Sequence, residues 1–277
     1  MNTDKLTVLC VGATGSVGRH VVEEALRRGH AVRALVRSRA RAAGLPAQAQ
    51  IVVGELTQPD TLAQAVAGVD AIVFTHGSNG GKADTRAIDY GGVRNILFAL
   101  GGRKVHIALM TAIGVTDRAS AYNRRTEAHD WKRRSERLVR ASGNAYTIVR
   151  PGWFDYNNVD QHRLVMLQGD KRHAGTPDDG AVARRQIAEV LVASLTLDEA
   201  RNKTFELVAE TGPAPTDLAP LLRAVTADSA DFDRAPDGVG DAANMPLDQE
   251  PAQVLADLKL FRAPGVEPAP KPNGGEA

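Results

Sequence analysis

Short apolar runs rich in β-branched residues alternate along this chain with stretches whose apolar positions recur at helical spacing. Leu6 to Val11, Ala31 to Val36, Ile51 to Val53, Ala71 to Thr75, Val105 to Met110 and Tyr146 to Val149 read as strands. After the first, Val17, Val21, Val22, Ala25 and Leu26 fall on one helical face that ends at Gly29, and Leu62, Ala65, Val66 and Val69 repeat the pattern behind Pro59. Ile88 to Leu100 and Arg125 to Ala141 are predicted as two further helices, the second stopped by Ser142-Gly143-Asn144. Strands that alternate with crossover helices must run parallel. The expected fold is therefore α/β, a Rossmann-type doubly wound sheet covered on both faces.

Beyond Pro151 the rhythm loosens. Loops around Gly169, Gly175, Pro177 and Gly180 lead to a predicted helix from about Ala181 to Leu195, for which Asp178 and Asp179 read as the capping start, and then to a strand from Thr204 to Val208. Residues 1–225 are expected to form the nucleotide-binding domain, with substrate-side elements from about residue 151. Residues 226–277 read as a C-terminal extension, acidic and rich in Gly and Pro, with one helix from Pro251 to Phe261 and a tail from Ala263 that is expected to be disordered or loosely docked.

Charge and cysteine content narrow the setting. Thirty-four Lys+Arg against 33 Asp+Glu leave a net charge of +1, which gives no whole-molecule drive towards nucleic acid or a membrane. The partner expected is a small molecule, and the oligomeric state is left open. The lone Cys10 sits in an apolar run, and no stretch has the length of a membrane span or the form of a signal peptide, so a cytoplasmic setting is expected. Basic residues do cluster locally. Arg33, Arg37, Arg39 and Arg41 form one group; Arg124, Arg125, Lys132, Arg133, Arg134, Arg137 and Arg140 form another, which reads as a solvated helix face.

The first strand runs into Gly12-Ala13-Thr14-Gly15-Ser16-Val17-Gly18 and straight on into the first helix. Gly12 permits a tight turn, Gly15 lets backbone approach a phosphate, and Gly18 lets helix and strand pack closely. The free amides around Thr14, Ser16 and Val17 then face a diphosphate at the positive end of the helix. At the end of the second strand, where an NAD site places a carboxylate for the ribose 2′-hydroxyl, this chain has Arg37. A guanidinium there suits a 2′-phosphate, so the cofactor expected is NADP(H); the other reading of Arg37 is a solvated basic loop.

With Gly12, Gly15 and Gly18, Gly54-Glu55-Leu56, Thr75-His76-Gly77, Asp89-Tyr90 with Gly92 and Asn95, and Tyr146 to Gly152, the chain resembles the atypical short-chain dehydrogenase/reductases and their NmrA-like group. The resemblance runs from Leu6 to about Val208. It implies that Glu55 and Leu56 bracket the adenine, that Thr75, His76 and Gly77 pass the cofactor riboses, and that Lys132 is the lysine that holds the nicotinamide ribose and lowers a phenol pKa. The family's tyrosine, four residues before that lysine, is replaced by Ala128, and its serine by Ala112 next to Thr111. Thr111, Tyr122, His129 and Tyr156 are the candidate replacements, with Lys132, Thr111 and Tyr122 taken as the catalytic set. Trp153, Phe154 and Tyr156 read equally as the wall of an apolar pocket or as a lid over the sheet. No metal-ligand spacing is present.

The first expectation is an NADP(H)-dependent oxidoreductase that reduces a small carbonyl or quinone-like acceptor without the usual tyrosine. A dinucleotide-binding redox sensor with little or no catalysis is the alternative, and a sugar-nucleotide epimerase is third, disfavoured by the missing catalytic pair.

Overall fold

Side chains of a strand point alternately to opposite faces, and in β1 (Thr7–Val11) both sets are apolar. Val8 and Cys10 enter one core cluster, Leu9 and Val11 the other, so each face of the sheet needs a helical cover. The computed structural model describes residues 5–229 and 235–262. From β1 the chain continues through α1 (Gly18–Arg27), β2 (Ala31–Val36), β3 (Gln50–Val53), α2 (Ala63–Val66), β4 (Ala71–Phe74), α3 (Lys82–Thr85) and α4 (Gly91–Ala99). It then forms β5 (His106–Met110), α5 (Ala121–Thr126), α6 (Ala128–Ala141), β6 (Ala145–Pro151), β7 (Trp153–Phe154), β8 (Arg163–Leu167) and β9 (Ala181–Val182). Last come α7 (Arg184–Ser194), β10 (Lys203–Glu210), α8 (Ala219–Ala224), α9 (Asp241–Asn244) and α10 (Ala252–Arg262).

The sheet order is β3-β2-β1-β4-β5-β6-β10, all parallel, followed by β9 and β7; β8 and β9 both run antiparallel to β10. Strand order reverses between β1 and β4, which opens a crevice at their carboxyl ends. Val21 and Val22 of α1 pack with Val190 and Leu191 of α7 on one face. On the other, Ile96 of α4, Leu138 of α6 and Leu258 of α10 share a core. No helix among the described residues is long and apolar enough to cross a membrane.

The expected Rossmann architecture is present, and five local expectations need correction. The helix predicted from Arg125 is two helices, because Glu127 adopts a left-handed conformation (φ 57°) between α5 and α6. Asn123 occupies the break, its Oδ1 accepting from the amides of His129 at 2.9 Å and Asp130 at 3.2 Å. The helix predicted from Ile88 starts at Gly91, after a π-turn over Arg86–Tyr90. The loop-rich part holds β7, β8 and β9, and the helix expected from Ala181 begins at Arg184. Asp179 does not cap it; both its oxygens are taken by the amides of Ala174 and Gly175, each at 2.7 Å.

The largest correction concerns the second basic cluster: Arg124 and Arg125 are exposed as expected, but its α6 arginines do not form a solvated face. Arg133 and Arg137 are 1% exposed, and Arg134 and Arg140 are buried as well. Their partners come from the acidic C-terminal extension: Asp241 pairs with Arg133 and, at 2.7 Å, with Arg140, while Glu250 takes Arg134 and Arg137, each at 2.6 Å. Arg150 of β6 completes the lattice, bridging Glu136 at 2.6 Å and Asp237 at 2.5 Å. Burial is the largest single effect and would raise the Asp237 carboxyl, but the charge and hydrogen bonds of Arg150 together with the charges of Arg133 and Arg140 hold the group below its ordinary value. The extension is thus built into the molecule over residues 235–262; the tail from Ala263 lies outside the described residues.

Removing one partner of a buried ion pair leaves an uncompensated charge at a cost of about 3–5 kcal/mol. Asp241→Ala is expected to lower unfolding stability by an amount of that order in urea titrations. A loss under about 1 kcal/mol, the range of a surface pair, would mean that Asp241 does not meet the α6 arginines inside the protein.

Candidate dinucleotide site and adjoining cavity

The turn after β1 is as close as backbone allows. Gly12 has φ +86°, and a Cβ there would lie 2.6 Å from the His76 amide nitrogen. At Gly18 a Cβ would collide with the Gly12 carbonyl oxygen, so both glycines are fixed by contact between main chains. Gly15 differs. It is exposed, and a Cβ would meet only the Gly12 oxygen at 3.1 Å, so the missing side chain leaves open space beside the crevice. Val17 stands at the N-cap of α1 with no side-chain cap bond, and the first turn holds no acid, which leaves the amides near Thr14, Ser16 and Val17 to an anionic ligand. This cradle fits a dinucleotide diphosphate.

On the β2 side, Arg37 is exposed at the strand end, followed by exposed Ser38, Arg39 and Arg41. Arg33 does not belong with them. Its Nη1 donates to the carbonyls of Gln64, Ala65 and Ala67 at 3.2, 2.9 and 2.6 Å, so it ties β2 to the end of α2. Glu55 and Leu56 follow β3, where Asn95 Nδ2 donates to the Leu56 carbonyl at 2.7 Å and Glu55 N donates to Thr61 Oγ1 at 2.9 Å. These bonds hold the loop at the rim of the crevice.

After β4, Thr75 Oγ1 donates to the Val11 carbonyl at 3.2 Å, locking this loop to β1. His76 Nε2 lies 3.0 Å from the Ile88 carbonyl, a bond that requires the proton on Nε2; Nδ1 is buried with no partner among the described residues. Burial pushes the imidazole down to about 4. A Cβ on Gly77 would lie 3.6 Å from Asp89 Oδ1 and 3.7 Å from Lys132 Nζ. Those two groups form an ion pair, and Asp89 Oδ2 accepts from the Ser78 amide at 2.9 Å. Lys132 therefore stands beside the loop expected to pass the riboses, but its ammonium is held by Asp89. Asp89 was visible in the sequence only as a family landmark.

A cavity of about 530 Å³ opens at the carboxyl ends of β5 and β6. Its walls include Tyr122, His129, Trp153, Phe154, Tyr156 and His173, so the pocket reading of the aromatic residues holds. Thr111 and Ala112 also line it, but the Thr111 hydroxyl donates to Glu136 Oε1 at 2.7 Å and is spent inside the protein. That corrects the expectation of Thr111 as a replacement donor. Ala128 is buried at 4% exposure, and Lys132 is outside the lining. Tyr122 is 45% exposed at the wall, its ring 5.4 Å from that of His129. The structure thus brings Tyr122 and His129 together and separates Thr111 from both in function.

A family model described as NAD(P)H-binding matches residues 12–198. Sanguinarine reductase of Eschscholzia californica is 27% identical over 269 residues, covering 81% of this chain and 98% of its own. The photosystem II assembly factor Ycf39 of Synechocystis is 27% identical over 236 residues, covering 83% of this chain and 71% of its own. A solved structure from Bacillus halodurans, described provisionally as an NAD-dependent epimerase/dehydratase, superposes with a TM-score of 0.66 at 26% identity, over 79% of this chain and 99% of that one.

His76 links the site to pH. The unfolded chain takes up a proton near the ordinary imidazole value of 6.5 and the folded His76 only near 4, so acidification through that window favours the unfolded state. Stability is expected to fall as pH drops from 6.5 to 4, and His76→Gln, which keeps a donor for the Ile88 carbonyl, is expected to make the fall shallower. Urea midpoints across the window measure it; an unchanged slope would show that His76 is not buried in its neutral form.

Proposed function

The chain belongs to the NAD(P)H-binding family, and we propose that it is an NADP(H)-dependent oxidoreductase that reduces a planar conjugated carbonyl or quinone-like acceptor in the aromatic cavity. The observation that carries this reading is the position of the cavity, at the ends of β5 and β6 next to the crevice of β1 and β4. The dinucleotide, when bound, supplies a hydride. Everything else is done by this chain: amides of the Gly12 to Gly18 turn bind the diphosphate, and Arg37 grips a 2′-phosphate. Glu55 and Leu56 flank the adenine, Thr75, His76 and Gly77 run along the riboses, and Lys132 steadies the nicotinamide half from its place on Asp89.

Aromatic walls favour a flat apolar substrate. With alanine at 112 and 128 and the Thr111 hydroxyl spent on Glu136, the cavity lacks the tyrosine and serine hydroxyls with which the resembled family meets an unactivated ketone. An acceptor whose reduced form spreads its charge needs them less. Kinship with a protein named as a reductase supports the enzymatic reading. The near-neutral net charge supports a small-molecule partner over nucleic acid or membrane, and buried Cys10, its thiol pushed up to about 12, suits a reducing cytoplasmic setting. The Lys132–Asp89 pair and the likeness to an assembly factor favour the second reading, a dinucleotide-binding sensor.

Calorimetric titration is expected to give NADPH at least about tenfold tighter than NADH, a difference of ~1.4 kcal/mol. Arg37→Ala is expected to remove most of that difference while leaving NADH binding unchanged; tighter binding of NADH by the native protein would reject the cofactor assignment. NADPH oxidation against a panel of quinones and conjugated carbonyls tests the reaction. Turnover with at least one is expected, and none with any member would leave the sensor reading in possession.

A further inference from the structure

The reductase reading leaves the source of the proton open, and the geometry of the α5–α6 corner points to one. We propose that His129 is the general acid of this site, delivering a proton from Nε2 to the acceptor oxygen, with the Tyr122 ring as the wall that holds it. This inference rests on the function proposed above.

Three contacts fix His129, and a fourth bond anchors its partner. Its backbone amide donates to Asn123 Oδ1 at 2.9 Å. Its Nδ1 lies 3.0 Å from the Asp117 carbonyl, an acceptor only, so Nδ1 carries a proton and the tautomer is set. The same carbonyl accepts from Ser120 Oγ at 3.2 Å, which anchors the loop that presents it. Tyr122 packs on the ring at a tilt of 57°. Nε2 has no partner among the described residues, and the residue lines the cavity. A side chain that is oriented through one nitrogen and open at the other meets the geometric requirement of an acid or base.

The corner also explains why the residue is His129 and not the one before it. With Glu127 left-handed, Ala128 becomes the first residue of α6 and is buried, and the next position reaches the cavity. The other cavity histidine is already engaged: His173 Nε2 lies 3.1 Å from Thr116 Oγ1 and 3.7 Å from Asp170 Oδ2.

The step balances. The dinucleotide, when bound, would supply two electrons and one hydrogen together as hydride, which leaves one oxygen of the acceptor anionic and one proton short. The Nε2–H bond of the imidazolium breaks, an O–H bond forms, the imidazole is left neutral, and solvent returns the proton.

His129→Asn keeps a donor for the Asp117 carbonyl and removes Nε2. With a quinone acceptor that the native protein turns over, kcat is expected to fall about a hundredfold, the range of general acid catalysis, with NADPH affinity unchanged; His129→Gln provides a second variant should the first fold poorly. A fall under about twofold in both, or a larger loss in Tyr122→Phe than in either, would overturn the proposal. A second readout needs no turnover. In nitrogen NMR of imidazole-labelled protein without cofactor, a hydroquinone is expected to shift the His129 Nε2 resonance and leave Nδ1 in place; an unmoved Nε2 at saturating hydroquinone would overturn it. Absence of turnover in the native protein would instead strike the function itself, so the two failures are distinguishable.

Discussion

Arg133, Arg137 and Arg140 lie on α6 almost without water, and the position of every residue that α6 presents to the site follows from how those charges are met. In the interior a guanidinium needs a carboxylate at contact distance, and a helix has few rotations that place several of them against fixed partners at once. Asp241 and Glu250 take that face. Glu136 looks to the sheet, where Arg150 holds both of its oxygens and Thr111 donates to one. With these sides pinned, His129 and Lys132 have one orientation left, towards the cavity and the loop after β4. Hydrophobic packing alone would allow more play, because Leu138 and Val139 tolerate small rotations that an ion pair does not.

The constraint then passes to the crevice through short contacts. Lys132 holds Asp89, Asp89 accepts from the Ser78 amide, and the loop from Thr75 to Ser78 presses its backbone on Gly12. Thr75 closes the circuit by donating to Val11. The amides of the Gly12 to Gly18 turn are therefore braced from two directions, by α1 behind Gly18 and by a loop tied to α6. The edge of the lattice is less settled in charge: burial pushes the Glu206 carboxyl up to about 7, although Arg150 is 3.4 Å away.

Features of local origin were legible in the sequence. The spacing of Gly12, Gly15 and Gly18 between a strand and a helix determined the turn, and the strand positions from Leu6 to Val149 followed from runs of β-branched residues. What could not be read locally was where charges go. Arg133 and Arg137 have the spacing of a solvated face, and the carboxylates that bury them lie about a hundred residues on, in a segment whose composition suggests loose structure. The break at Glu127 was hidden for a similar reason. Nothing in Arg125 to Ala141 interrupts helical spacing; the cap is Asn123, in the preceding turn, and Glu127 is drawn off by Lys82 at 2.9 Å and Trp131 at 3.1 Å. Arg33, grouped with Arg37 by proximity, is diverted by carbonyls thirty residues away.

The cavity itself weighs between the two functional readings. A protein that only sensed a dinucleotide would need the crevice and a surface that responds to it, and would gain from filling any neighbouring void, since apolar surface left to water forgoes about 25 cal/mol per Å². Here a space of about 530 Å³, within the range of small-molecule pockets, is kept open between Tyr122, Trp153, Phe154 and Tyr156 by a β6–β7 corner and a charged clasp. The Arg184 guanidinium lies 5.2 Å from the Phe154 ring centroid and pairs with Asp155, fixing the wall that carries Trp153. An aromatic-walled space at the carboxyl ends of β5 and β6 does nothing for a switch that reads the dinucleotide alone, and it is what a second reactant needs.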